Sequence, residues 1–116
     1  MRVLVAEDEP LLARAIERAL AKEGYEVVLA SNGKEALDAL RAHPCGVLLV
    51  DVSMPEMNGL TLVGELRDDA RFAHVRVVLM TGVREMDARA TGLPVLAKPF
   101  RNQELLDAIA AAVATH

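Results

Sequence analysis

Four apolar segments of this chain each lead into a side chain that can handle phosphate or a metal ion. Residues 2–6 lead to Glu7 and Asp8, and residues 46–50 (GVLLV) lead to Asp51. Residues 76–80 lead to Thr81, and residues 94–97 lead to Lys98. If the segments are parallel strands, these side chains gather at one sheet edge, where such sheets bind ligands. Three carboxylates there repel each other unless a cation or raised pKa values relieve them. Oxygen donors favour Mg²⁺, which keeps waters and holds phosphate oxygens. A carboxylate can also act as a nucleophile and take a phosphoryl group as an acyl phosphate. That transfer asks a protein mainly to position groups and neutralise charge. The pattern predicts phosphorylation of Asp51, with Mg²⁺ and Lys98 supplying positive charge. Thr81 would donate a hydrogen bond to a phosphoryl oxygen.

Each residue also has an ordinary structural reading. Asp8 or Glu9 could cap the helix that Pro10 opens. Asp51 could serve an Asx-turn, and Thr81 a turn before Gly82. Lys98 could be a solvated strand end. Their coincidence at one edge favours chemistry over separate accidents.

The elements that must position them follow from periodicity. Apolar runs alternate with stretches of helical period, which predicts an α/β fold: a parallel sheet with crossover helices. Strands are expected at residues 2–6, 26–30, 47–50, 77–80 and 95–97. The third is apolar throughout, as a strand covered on both faces should be. Helices are expected at residues 10–22, from Asn32-Gly33 to about 41, at 59–67 and at 103–114. Residues 85–90 read as a short polar helix or a turn. The first helix should bury Leu12, Ala15, Ile16, Ala19 and Leu20, and the second Leu37 and Leu40. The third should bury Val63 and Leu66. The last should bury Leu105, Leu106, Ile109 and Val113, with Asn102 as its cap.

Composition bounds the rest. The 116 residues are 53% hydrophobic, enough for one domain, residues 1–116, with a core of its own. A net charge of −4 and three aromatics argue against direct nucleic-acid binding. No apolar stretch approaches membrane-spanning length. The single Cys45 cannot form an internal disulfide and should pack beside a strand start, which fits a cytoplasmic setting. The three histidines lack metal-ligand spacing. The basic stretch Arg67, Arg71, His74 and Arg76 reads as a solvated helix end.

Four motifs together resemble the receiver domain of two-component response regulators, of the chemotaxis single-domain type. They are VAEDE (residues 5–9), LLVDVSMPEMNG (48–59), LMTG (79–82) and LAKPF (96–100). The resemblance runs essentially end to end. It implies a doubly wound, flavodoxin-like five-stranded parallel sheet in the order 2-1-3-4-5, with helices on both faces. It implies that Asp51 is the phosphoacceptor, and that Asp8 ligates Mg²⁺ directly while Glu7 acts more through water. The Ser53 backbone carbonyl would be a further ligand, Thr81 the switch hydroxyl and Lys98 the phosphate-pairing lysine. A cis Lys98-Pro99 peptide is implied as well. The donor would be a histidine kinase or histidine phosphotransfer protein, and the output an unspecified protein. The chain would catalyse only its own phosphorylation and dephosphorylation.

Two departures from the family pattern stand out. Val95 occupies the place of the family's aromatic, three residues before the lysine. The 17-residue step from Thr81 to Lys98 is short, so the fourth helix should be abbreviated. The segment between Gly82 and Leu93, polar and thinly anchored, is expected to shift on activation through Thr81. The leading expectation is a stand-alone signalling receiver. Alternatives are a receiver fragment of a hybrid histidine kinase or of a DNA-binding regulator. A Mg²⁺-dependent phosphatase on a similar fold would need a second acid or base near Asp51; Ser53 stands two residues on.

Overall fold

In the computed structural model, five short strands lie side by side, all parallel, in the order β2-β1-β3-β4-β5. They are β1 (Arg2–Ala6), β2 (Glu26–Ala30), β3 (Val47–Asp51), β4 (Arg76–Thr81) and β5 (Val95–Ala97). The structure describes residues 1–54, 57–82 and 92–114. Four α-helices lie among them: α1 (Pro10–Lys22), α2 (Gly33–Ala42), α3 (Gly59–Arg67) and α4 (Asn102–Ala114). A short 3₁₀ turn spans Ala70–Phe72. The short helix or turn expected at 85–90, and most of the segment between Gly82 and Leu93 expected to shift on activation, lie outside the described residues.

Strand alternation divides the core into two layers. Val3, Val5, Val47, Leu49, Val78 and Met80 face Ile16, Leu20, Leu105 and Ile109, so α1 and α4 cover one face. Leu4, Ala6, Leu48, Val50 and Leu79 face Leu37, Leu40, Leu62 and Leu66, so α2 and α3 cover the other. With both faces covered, β3 is buried along its whole length, as its unbroken apolar run implies. Strand order reverses between β1 and β3, and the residues following them meet at that crevice.

Helix starts are locally encoded. The Glu9 carboxylate accepts from the Leu11 and Leu12 amides, with Pro10 opening α1. Asn32 Oδ1 accepts from Glu35 N at 2.8 Å, and Glu35 Oε1 reaches back to Ser31 N at 3.0 Å. Asn58 Oδ1 accepts from Thr61 N at 2.9 Å. Asn32→Ala is expected to lower stability by about 1 kcal/mol, the usual value of such a cap. A urea midpoint unchanged from wild type would contradict that.

Three packing expectations need correction. Ala15 is exposed and Ala13 is buried in its stead. Two alanines carry too little apolar weight to set the roll of α1, which Ile16 and Leu20 fix. Leu12, Leu106 and Val113 are half-buried and pack against the core layer from its margin, while Ala112 is buried. Asn102 lies inside the first turn of α4 rather than capping it. Arg101 precedes that turn: its carbonyl accepts from Leu105 N, and its amide donates to Glu104 Oε1 at 2.9 Å.

Candidate phosphoryl site at the sheet edge

The carboxyl ends of β1, β3, β4 and β5 bring Glu7, Asp8, Asp51, Thr81 and Lys98 to one edge. Glu7 follows β1, and its amide donates to Ala30 O at 3.0 Å, so the chain leaves the strand in a fixed direction. Asp51 closes β3 and is 5% exposed. Ser53 N donates to Asp51 Oδ1 at 2.9 Å. The Asx-turn reading is thus present in the structure, and it orients the carboxylate without excluding its chemistry.

Lys98 ties the edge together. Its Nζ donates to Glu7 Oε1 at 2.5 Å and to Asp51 Oδ2 at 2.6 Å. The lysine is aimed from just beyond β5, where Lys98 N donates to Thr81 O at 2.7 Å. The Lys98-Pro99 peptide is cis. The second Glu7 oxygen, Oε2, accepts from Glu9 N at 3.0 Å.

Burial raises the Glu7 pKa above the usual carboxylate value, against the lowering pull of the Lys98 hydrogen bond. Partial burial acts to lower the Lys98 pKa, but hydrogen bonds to Asp51 and Glu7 outweigh it and hold the ammonium charged. Both expected forms of relief are thus present: the Lys98 ammonium sits between two of the carboxylates, and burial shifts the Glu7 pKa upward.

The remaining side chains differ in exposure. Thr81 is 1% exposed, and its hydroxyl donates to Gly82 O at 3.2 Å. Asp8 is exposed beside the buried pair. One carboxylate oxygen each from Glu7, Asp8 and Asp51 lie within 4.8 Å of one another. A compact all-oxygen donor set of this kind suits a hard divalent cation with waters completing its shell. Every expected side chain is thus found at the edge. Val95 is half-buried in β5, at the place where the family pattern has an aromatic.

The decisive likeness covers most of the chain: residues 3–110 match the response regulator receiver domain.

The chain belongs to the response regulator receiver family.

The Helicobacter pylori chemotaxis protein CheY1 is 35% identical over 123 aligned positions, covering 100% of this chain and 99% of that one. The transcriptional regulatory protein KdpE of Mycobacterium tuberculosis is 35% identical over 118 positions, covering 96% of this chain and 50% of its own length. The chain spans about half the length of the transcriptional regulators it matches. Among solved structures, the chemotaxis response regulator CheY4 of Vibrio cholerae superposes with a TM-score of 0.87 at 27% identity. That match covers 96% of this chain and 97% of CheY4. The receiver is thus a two-component signalling module, of a family that typically uses Mg²⁺ and works with histidine kinases or phosphotransfer partners. Among the described residues, no helix is long and apolar enough to cross a membrane.

Two contributors were missed from sequence. The Glu7–Lys98 contact joins residues 91 positions apart, so no local pattern announces it. In sequence Gly59 reads as a loop end and helix start, with nothing to mark its closeness to Asp51. A Cβ there would stand 2.4 Å from the Asp51 carbonyl oxygen.

Proposed function

We propose that this receiver accepts a phosphoryl group on the Asp51 carboxylate from a histidine kinase or histidine phosphotransfer protein. The nitrogen–phosphorus bond of the donor phosphohistidine breaks as an oxygen–phosphorus bond to Asp51 forms. The observation that carries this reading is the Lys98 ammonium on Asp51 Oδ2 at 2.6 Å, at the carboxyl edge of the sheet. Lys98 lies where it can neutralise charge on the transferred group, and the Ser53 amide holds Oδ1 in place. Thr81 turns from Gly82 O to the phosphoryl oxygens as the switch hydroxyl.

Mg²⁺ would be held by Asp8, Asp51 and the Ser53 backbone carbonyl, with Glu7 acting through water. When bound, it supplies positive charge to the phosphoryl oxygens. The chain catalyses only its own phosphorylation and dephosphorylation, and passes the result to a downstream protein. A cytoplasmic setting and no direct nucleic-acid contact belong to the same reading, supported by the free, buried Cys45 thiol and the net charge of −4.

Transfer from a panel of autophosphorylated histidine kinases tests the proposal. At least one kinase should label the chain, and hydroxylamine should remove the label, as it does acyl phosphates. Label that survives hydroxylamine would refute an aspartyl phosphate. Mg²⁺ titration separates the acidic pair. Glu7→Ala is expected to weaken binding about tenfold, as loss of an outer-sphere partner does. Asp8→Ala should weaken it more, through loss of a direct ligand. Equal affinity in Asp8→Ala and wild type would remove Asp8 from the ligand set.

A further inference from the structure

The loop after Asp51 is pinned at two points by backbone approaching backbone. At its far end, Gly59 N donates to Val52 O at 3.0 Å. A Cβ built on Gly59 would lie 2.4 Å from Asp51 O and 3.0 Å from both Asp51 C and Val52 Cα. The Gly59 backbone thus lies against the peptide that follows the phosphoacceptor, and no side chain fits between them. Before that, Met57 rests on the start of α2. A Cβ on Gly33 would lie 2.1 Å from Met57 O and 2.7 Å from Met57 Cβ. Both glycines are buried. Neither carries a positive φ, so lack of a side chain, and not backbone freedom, is what the sites need.

We propose that Gly59 and Gly33 are positioning residues for phosphorylation: their missing Cβ atoms let α3 and α2 clamp the loop that sets the Asp51 carboxylate and the Ser53 backbone. The inference rests on Asp51 being the phosphoacceptor. Ser53 N, which holds Asp51 Oδ1 at 2.9 Å, is inside the clamped loop. Displaced backbone at Asp51 therefore moves both the nucleophile and its orienting amide. A displacement of about 1 Å at a reacting group can cost on the order of a hundredfold in rate.

Gly64 supplies the control. It lies in the same helix, and a Cβ there meets nothing within 4 Å. Wild type, Gly59→Ala, Gly33→Ala and Gly64→Ala are compared by acetyl phosphate labelling in saturating Mg²⁺, below the unfolding range of each. Gly59→Ala should label at least about tenfold more slowly than wild type while its circular dichroism stays native. Gly33→Ala should fall in the same direction, and Gly64→Ala should stay within about twofold. A folded Gly59→Ala that labels at the wild-type rate would overturn the proposal. So would an equal slowing in Gly64→Ala, which would point to general helix effects. If neither clamp variant folds, amide exchange of wild type decides. The Gly59 amide should exchange only with global unfolding; exchange by fast local opening would dismiss the clamp. Failure of the underlying reading is distinct, because then Asp51→Asn labels as wild type does.

Discussion

Lys98→Ala is expected to lose about 2–3 kcal/mol of unfolding free energy in Mg²⁺-free buffer. Removing one partner of a buried ion pair typically costs about 3–5 kcal/mol, because a charge stays buried without its counter-ion. Here the Glu7 and Asp51 side chains are 1% and 8% exposed and share one ammonium. The lysine side chain is 24% exposed, so water can replace part of what it gives, and the lower figure follows. The loss should depend on pH. Burial already raises Glu7 above 4.5, and removing the ammonium raises it further. The folded variant then binds more protons than the unfolded chain, so its stability rises as pH falls. The gap to wild type should narrow in acid and widen above the ordinary carboxylate range. With the proposed Mg²⁺ site in the folded form, added Mg²⁺ should recover part of the loss at neutral pH. Urea unfolding with and without Mg²⁺ measures all three. A midpoint equal to wild type in metal-free buffer would show that the ammonium does not hold the carboxylates together.

Much of the fold was legible because strands buried on both faces write themselves as unbroken apolar runs. Residues 47–50 are such a run, and β3 extends it only by Asp51. Each run stops where the chain reaches the sheet edge, so the first polar residue after it is a candidate for the site. Side-chain packing of the helices was less legible. Ile16 and Leu20 set the roll of α1, while Ala13 and Ala15 are too alike to be told apart in sequence. The start of α4 was misplaced because Asn102 has the chemistry of a cap, but the chain enters the helix one residue earlier.

The site itself was legible as a set of residue types and not as a set of contacts. Glu7 and Asp8 are adjacent and equally acidic in sequence. Only the fold separates them, burying Glu7 against Lys98 and leaving Asp8 exposed. Glycine is harder still, since its contribution at Gly59 is an absent atom. In sequence it reads as a turn or helix start, and only its approach to the Asp51 carbonyl reveals the constraint.

Complete loss of labelling is the second large effect expected. Asp51 Oδ2 faces the Lys98 ammonium, Oδ1 is fixed by Ser53 N, and the neighbouring carboxylates suit Mg²⁺. Asparagine keeps the shape of that side chain and one oxygen, but removes the charge and the nucleophilic carboxylate. It leaves most packing intact, so a loss of labelling would report chemistry rather than unfolding. Intact-mass spectrometry after incubation with acetyl phosphate measures this most directly. The wild-type chain should gain one phosphoryl group with Mg²⁺ and none when EDTA replaces it. Asp51→Asn should gain none under either condition. Equal labelling of wild type and Asp51→Asn, or labelling of wild type that is indifferent to Mg²⁺, would contradict the account.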